Sequence, residues 1–158
     1  MEIQKILVGV DGGPGAAAAL RWAAGAVRES GGEVVAVHAA DRVLIRQAAD
    51  DAVNGLGMAA SLRNWRERSA QALEEQWCEP LREAGVPYRT VLRDCDPVHA
   101  LLRTARKENV DVIVIGHRVE SSFVHRLFRG LSDELLDHAR RPVVVVPSPR
   151  SRVVTGSR

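Results

Sequence analysis

Two short polar stretches hold the residues best suited to bind a ligand, and each directly follows an apolar run. Asp11 and Gly12 come after the run Ile6–Val10. Gly116 follows the run Val112–Ile115 in the same way. Uninterrupted apolar runs of this kind are typical of strands buried on both faces of a parallel sheet. Because ligands bind beyond the carboxyl ends of such strands, where the strand order reverses, we expect a binding site between these two strand ends.

The sequence contains none of the common catalytic motifs. It has no G-x-S-x-G nucleophile elbow, no intact G-x-x-x-x-G-K-[ST] phosphate-binding loop and no histidine pair with metal-binding spacing. Its two cysteines, Cys78 and Cys95, form neither a C-x-x-C pair nor a Cys/His spacing suited to zinc, so we expect two reduced thiols. These observations favour a protein without enzymatic activity and without a metal site.

Composition and charge argue against membrane and nucleic-acid partners. The net charge is only +2, and aromatic residues make up 4% of the chain, too few for a base-stacking surface. No apolar run approaches the roughly 20 residues of a membrane span, and the first residues lack the pattern of a signal peptide. We therefore expect a cytoplasmic protein that binds neither membranes nor nucleic acids.

Strand and helix patterns alternate along the chain. Beside the two strands above, the sequence predicts strands at Glu33–Ala39, Val86–Leu92 and Val143–Val146, separated by helical patterns. This alternation implies a doubly wound, Rossmann-like α/β fold with a five-stranded parallel sheet and helices on both faces. We expect one domain over residues 1–147 and a flexible tail over residues 148–158.

The helical patterns carry specific start and stop signals. Ser61–Ala84 is predicted to be a long amphipathic helix, broken near Cys78 by the proline two positions later. The segment before it, residues 43–60, has no clear pattern and reads as a variable loop. Another loop is expected at Gly116–Arg129, with Ser132 as the N-cap of the last helix.

Several segments together resemble the universal stress protein family. The resemblance extends from about Lys5 to Pro147 in the family's element order and implies the family's α/β fold. The segments that carry it are Ile6–Gly12, Val37–Ala39, Asp96-Pro97, Val114–Gly116 and His138–Val146.

The resemblance implies which residues would hold ATP with Mg²⁺, the candidate cofactor. Members that bind ATP have the pattern Gly, two residues, Gly, nine residues, Gly, then Ser or Thr, and an Asp after the first strand that contacts the adenosine. Gly116 matches the first glycine and Asp11 matches the aspartate. Ala39 lies where the family lines its adenine pocket with a small apolar residue. Gly130 and Ser132, at the end of the pattern, complete the candidate ATP site.

This chain departs from the ATP-binding pattern from the second glycine onward. Val119 and Arg129 replace the second and third glycines, and Gly130 replaces the hydroxyl residue. A one-residue insertion would bring Gly130 onto the third glycine but would leave Leu131 in the hydroxyl position. Glycine lets backbone N–H groups approach phosphate closely, which valine does not, although Arg129 could donate to phosphate itself. Nucleotide binding is therefore expected to be lost or weakened.

The last strand is the expected contact with a partner. Val143, Val144, Val145 and Val146 would form a sheet edge, and an apolar edge exposes backbone groups that can pair with a second copy. The family resemblance implies a homodimer through this strand. The leading hypothesis is a non-enzymatic stress-response protein that acts through dimerisation and a protein partner. The alternative is an ATP-binding sensor or weak ATPase.

Overall fold

The computed structural model describes residues 2–39, 57–117 and 125–148, together with the helical positions 46, 50 and 53. Helices and strands alternate along these residues, and a π-helical turn, Leu73–Trp77, follows one helix directly. The elements in chain order are β1 (Lys5–Gly9), α1 (Pro14–Arg28), β2 (Glu33–Ala39), α2 (Met58–Ala72), the π-helical turn, α3 (Glu79–Ala84), β3 (Tyr88–Arg93), α4 (Pro97–Glu108), β4 (Val112–His117), α5 (His125–His138) and β5 (Val143–Pro147).

The strands form one parallel five-stranded sheet in the order β3-β2-β1-β4-β5. The chain moves outward from β1 to β3, returns to the centre at β4 and ends at the opposite edge. The strand order reverses between β1 and β4, which confirms the predicted position of the switch point. The doubly wound α/β fold predicted from the sequence is also confirmed.

Successive strand residues enter two separate apolar cores, one on each face of the sheet. Ile6 and Val8 of β1 pack with Leu20 of α1, whereas Leu7 between them packs in the same cluster as Leu101 of α4. We call these clusters the α1 core and the α4 core. This alternation assigns a face to each strand residue, including those at the carboxyl ends.

The predicted break near Cys78 is confirmed. Helix α2 passes into the π-helical turn, where the N–H of Cys78 donates to the carbonyl oxygen of Leu73 at 3.2 Å. Cys78 leaves the helical conformation (φ −86°, ψ 9°), and Pro80 falls in the first turn of α3. A proline fits there because the N–H that it lacks would have no partner within the helix.

The last helix begins earlier than the sequence predicted. Because α5 begins at His125, Ser132 lies inside the helix and is not its N-cap, and Gly130 is a helical residue. One internal glycine costs only about 1 kcal/mol relative to alanine, too little to end a helix. Leucines recur every four positions on both sides of it, from Leu127 to Leu135. The predicted loop Gly116–Arg129 therefore ends in helix.

β5 forms one edge of the sheet, as predicted. Its register runs from Val143, opposite Ile113, to Pro147, opposite His117. Val145 is 39% exposed, whereas its neighbours in the strand pack partly against the two cores. The edge is thus apolar and partly open to solvent.

The remaining predictions concern segments that the structure describes only in part. Most of the variable segment 43–60, Val119 and residues 149–158 lie outside the described residues. Ser148 is buried, and its N–H donates to the carbonyl oxygen of His117 at 3.3 Å. Within the described ranges, no helix is long and apolar enough to cross a membrane.

Candidate functional site

Asp11 holds the turn that follows β1. Its Oδ1 accepts a hydrogen bond from the N–H of Gly13 at 2.8 Å, which closes an Asx turn ahead of α1. Gly12 has φ +80°, a left-handed conformation that favours glycine. A Cβ on Gly12 would also lie 2.6 Å from the indole of Trp77. Asp11 therefore has a structural role in this turn, whatever it does toward a ligand.

Gly116 lies against the start of α1. A Cβ on Gly116 would overlap the carbonyl group of Gly15, and a Cβ on Gly15 would lie 3.0 Å from the carbonyl oxygen of His117. β4 and α1 approach this closely because both residues lack side chains. Packing between two backbones thus requires a glycine at position 116, independently of any phosphate.

Four residues at the carboxyl edge share the α4 face of the sheet. Ala39 packs against the α4 core and pairs in register with Arg93 of β3. The registers of β1 with β2 and with β4, extended past their last pairs, place Asp11 and His117 level with Ala39. Strand alternation assigns both to the face of Ala39. We call these four residues the edge row, and it crosses the switch point between β1 and β4.

Arg93 is the member of the edge row that the sequence analysis missed. It is the last residue of β3, one position beyond the predicted end of that strand. Its Nε is buried and has no hydrogen-bond partner in the structure as described. The adjacent acid, Asp94, pairs instead with Arg66 at 2.9 Å. The available signal was the alternation of β3, which assigns residue 93 to the α4 face when it is continued past Leu92.

Three rings cover the other face of the same strand ends. The imidazole of His38 lies between Trp65, with ring centroids 5.6 Å apart, and Trp77, with centroids 4.8 Å apart and an edge-on geometry. Nδ1 of His38 lies 2.6 Å from the carbonyl oxygen of Val10. His38 is therefore a satisfied histidine at a strand end. Because the α1 face is covered in this way, the α4 face is the candidate surface for a ligand at the carboxyl edge.

Two of the predicted site residues lie on the last helix. Ser132 and Gly130 belong to α5, which packs against α4. Ser132 is followed by Asp133 and Glu134, and their carboxylates oppose a triphosphate nearby. The structure thus brings together Asp11, Ala39 and Gly116 but adds nothing to the assignment of the other two.

The edge row combines apolar, acidic and nitrogen-rich side chains. It offers a small apolar side chain, one carboxylate and two nitrogen-rich side chains within four neighbouring strands. Among the described residues, no group of three or more His, Cys, Asp or Glu is placed to hold a metal ion.

The two thiols are not activated nucleophiles. Burial, with a smaller contribution from the charge of Glu74, raises the pKa of Cys78 to about 11. Burial, followed by the charge of Asp94, also raises the pKa of Cys95. Because the thiolate is the reactive form of cysteine, a raised pKa makes both side chains poor nucleophiles at neutral pH.

Comparison with known proteins decides the family. The sequence model of the universal stress protein family matches residues 2–147. The chain belongs to this family. The resemblance seen in the sequence is thereby confirmed. The universal stress protein YxiE of Bacillus subtilis (strain 168) is 24% identical over an alignment of 147 residues, and the match covers 90% of this chain and 97% of that protein.

Solved structures of the family share the fold of this universal stress protein. A universal stress protein in complex with cAMP has a TM-score of 0.65 at 18% identity and covers 94% of this chain and 100% of its own. The universal stress protein from Archaeoglobus fulgidus in complex with dAMP has a TM-score of 0.61 at 21% identity and covers 92% of this chain and 99% of its own. At these identities the likeness establishes the fold.

Proposed function

We propose that this universal stress protein is a non-enzymatic protein that binds a nucleotide weakly along the edge row and works as a homodimer. The observation that carries the nucleotide site is the level arrangement of Asp11, Ala39, Arg93 and His117 where the strand order reverses. Relatives solved in complex with cAMP and dAMP support the class of ligand.

The chemistry of the edge row orients the nucleotide in this proposal. Ala39 is small, apolar and packed against the α4 core, so it suits the flat face of a base. His117 lies toward the other end, beside Gly116 and close to the start of α1. The N-terminus of a helix attracts anions, so the phosphate belongs at that end. The sugar then lies across Asp11, whose carboxylate suits ribose hydroxyls.

Three features account for weakened rather than strong binding. Val119 and Arg129 replace the glycines that would let backbone amides reach phosphate. One oxygen of Asp11 already accepts a hydrogen bond from the N–H of Gly13. Asp133 and Glu134 add negative charge to α5. The first and third features lower the affinity for a polyphosphate more than for a monophosphate.

The non-enzymatic part of the proposal is supported by the chemistry of the described residues. Both thiols have raised pKa values, and His38 is held between two tryptophans and beside a backbone carbonyl. The free thiols are also consistent with action in the reducing cytoplasm.

The nucleotide site is tested by calorimetric titration with AMP, ATP and ATP with Mg²⁺. We expect AMP to bind with a dissociation constant of about 0.1–1 mM. Ala39→Leu fills the proposed place of the base and should weaken AMP binding at least tenfold, to judge by the cost of overfilling a packed site. Ala60→Leu, an exposed position on α2, is the matched control and should leave binding unchanged.

Two outcomes would change the proposal. If neither AMP nor ATP binds to the folded protein at millimolar concentration, the nucleotide site is wrong and only self-association and partner binding remain. If ATP with Mg²⁺ binds much more tightly than AMP, the sensor or weak ATPase replaces the proposal, and phosphate release should then be measured.

The homodimer is proposed from the edge strand β5. Val145 is 39% exposed, and an apolar edge strand with unpaired backbone groups favours pairing with another strand. Trp22 of α1 is also 39% exposed and lies two turns after Gly15, on the side of the helix that contacts β4. Leu136 of α5, on the opposite face, is 53% exposed. Exposed apolar side chains on β5 and on helices of both faces thus support an interface with a second copy.

A further inference from the structure

We infer that the π-helical turn Leu73–Trp77 is coupled to the nucleotide site and controls how tightly the nucleotide binds. The inference rests on the nucleotide site proposed above and adds the regulation of that site. It starts from a contact between two segments that are far apart in the sequence. The indole of Trp77, the last residue of the turn, packs against Gly12, which follows the edge-row residue Asp11.

The π-helical turn determines where the side chain of Trp77 lies. Trp65, Ser69, Leu73 and Trp77 recur at a spacing of four residues, and the first three are buried. In an α-helix each step of four residues rotates a side chain about 40° past a full turn, so such a row drifts away from the sheet. The N–H of Cys78 donates to the carbonyl oxygen of Leu73, five residues back, at 3.2 Å. This wider turn counteracts the drift and keeps Trp77 on the side of the sheet.

Side chains from α3 and β3 hold the π-helical turn in place. The guanidinium of Arg82 donates to the carbonyl oxygens of Glu74 and Glu75, the second at 2.8 Å. Pro80, five residues after Glu75, has no N–H for that carbonyl, so Arg82 supplies a donor that the backbone lacks there. The hydroxyl of Thr90 donates to the carboxylate of Glu74. The turn is thus held by side chains that lie outside the edge row.

Trp77 contacts both strand ends that flank the proposed place of the sugar and base. Besides its contact with the turn after β1, its ring centroid lies 4.8 Å from that of His38 on β2. Nδ1 of His38 lies 2.6 Å from the carbonyl oxygen of Val10. Val10 and His38 directly precede the edge-row residues Asp11 and Ala39. The indole therefore supports from the α1 face the backbone that would carry the nucleotide on the α4 face.

A coupling of this kind acts in both directions. A nucleotide held by Asp11 and Ala39 favours the backbone position that Trp77 supports, so it stabilises the π-helical turn. A turn that has lost its contacts leaves the indole less fixed, and the nucleotide then has to order it at the expense of affinity. Residues that hold the turn, such as Arg82, are thus positioning residues for the nucleotide.

Calorimetric titration with AMP tests the coupling in variants that leave the edge row intact. Arg82→Met removes the donors to both carbonyl oxygens and should weaken AMP binding about fivefold to tenfold. Trp77→Leu removes the ring that packs against Gly12 and should weaken binding by at least the same factor. Trp77→Phe keeps a ring and should bind more tightly than Trp77→Leu. Arg68→Met, an exposed arginine that bonds a carbonyl oxygen of its own helix, is the matched control and should keep the wild-type affinity.

Tryptophan fluorescence provides a readout that a loss of stability alone does not move. AMP should change the emission of the wild type, and the change should saturate with the dissociation constant from calorimetry. Trp22→Phe, which removes an exposed indole of α1, should keep this change. Trp77→Phe should lose most of it, because the indole that packs against the Asp11 turn is gone.

The results distinguish a failure of the coupling from a failure of the nucleotide site. An AMP affinity unchanged in Arg82→Met, or an emission change that persists in Trp77→Phe, would overturn the coupling and leave the nucleotide site standing. Arg82→Met and Trp77→Phe are sufficient for the test if Trp77→Leu does not fold. If AMP does not bind to the folded wild type, the proposed function fails together with the coupling.

Discussion

The backbone of Gly116 at the end of β4 packs directly on the backbone of Gly15 in the first turn of α1. The contact joins the two elements that flank the switch point, and it gives Gly116 a reason to be glycine that involves no ligand. A match between Gly116 and the first glycine of a nucleotide-binding pattern is therefore weaker support for binding than the pattern alone implies.

The two glycines are expected to tolerate alanine very differently. In Gly116→Ala the new methyl group overlaps the carbonyl group of Gly15, so backbone must move, and we expect a loss of about 3 kcal/mol or more in the free energy of unfolding. In Gly15→Ala the methyl group lies 3.0 Å from the carbonyl oxygen of His117, and a loss of about 1 kcal/mol suffices. Urea unfolding of both variants without nucleotide measures the difference, and equal losses would show that the contact is not tight.

A charged side chain in place of the exposed Val145 of β5 is expected to prevent the homodimer from forming. Val145→Arg places a cation at the proposed interface but leaves the cores intact, because that side chain is already 39% exposed. Val53→Arg, at a position that is 87% exposed, is the matched control. Sedimentation velocity should show a monomer for Val145→Arg and a dimer for the control and the wild type. A dimer that survives Val145→Arg would place the interface elsewhere.

Replacing Thr104 by an apolar residue of the same shape is expected to stabilise the folded protein. This residue of α4 is fully buried, and its hydroxyl oxygen has no hydrogen-bond partner within the described residues. Thr104→Val keeps the branched shape and removes the unsatisfied group, so it should raise the free energy of unfolding by about 1 kcal/mol. In contrast, the hydroxyl of Thr90 donates to the carboxylate of Glu74, so Thr90→Val should not stabilise. Destabilisation by Thr104→Val would mean that its hydroxyl finds a partner in solution.

Asp111 makes part of the stability dependent on pH. Its Oδ2 accepts hydrogen bonds from the N–H groups of Gln4 and Lys5, both at 2.9 Å, and these bonds lower the pKa of the carboxyl below its ordinary value of 3.8. A group whose pKa is lowered by folding stabilises the protein above its unfolded value and loses that contribution as the pH falls through the folded value. Asp111 therefore stabilises the fold at neutral pH and ceases to do so in acid.

Asp111→Asn tests that dependence. We expect the variant to be less stable than the wild type by about 1–2 kcal/mol at pH 7, with the difference shrinking below pH 3.8. Asp94→Asn, which removes an exposed ion pair with Arg66, should cost less than about 1 kcal/mol. Thermal unfolding between acid and neutral pH measures both variants. A difference for Asp111→Asn that stays constant into acid would exclude the carboxylate as its source.

The sequence predicted the features that depend on local pattern. Apolar runs located the central strands, Pro80 predicted the break near Cys78, and the order of elements predicted the switch point and the edge position of β5. Each of these follows from hydrophobic periodicity or from the missing N–H of proline, which act over a few residues.

The features that the sequence did not predict depend on contacts between distant segments. Arg93 joins the edge row only through the register of β3 with β2, and the closeness of Gly15 and Gly116 depends on the distance between a helix and a strand. The predicted start of α5 at Ser132 is seven residues too late, because the leucine spacing continues back past Gly130 to the helix start at His125. A local sequence pattern contains no information about the register of two strands or about the distance between a helix and a strand.

The most direct test of the account is to locate nucleotide binding by amide chemical shifts. In a ¹⁵N-labelled sample titrated with AMP, the amides of the edge row, Asp11, Ala39, Arg93 and His117, should shift together and saturate with one dissociation constant. The amides of Ile3, Ser30 and Glu33, at the opposite end of the sheet, should stay in place. Shifts confined to that opposite end, or no shifts at millimolar AMP, would contradict a nucleotide site at the carboxyl edge.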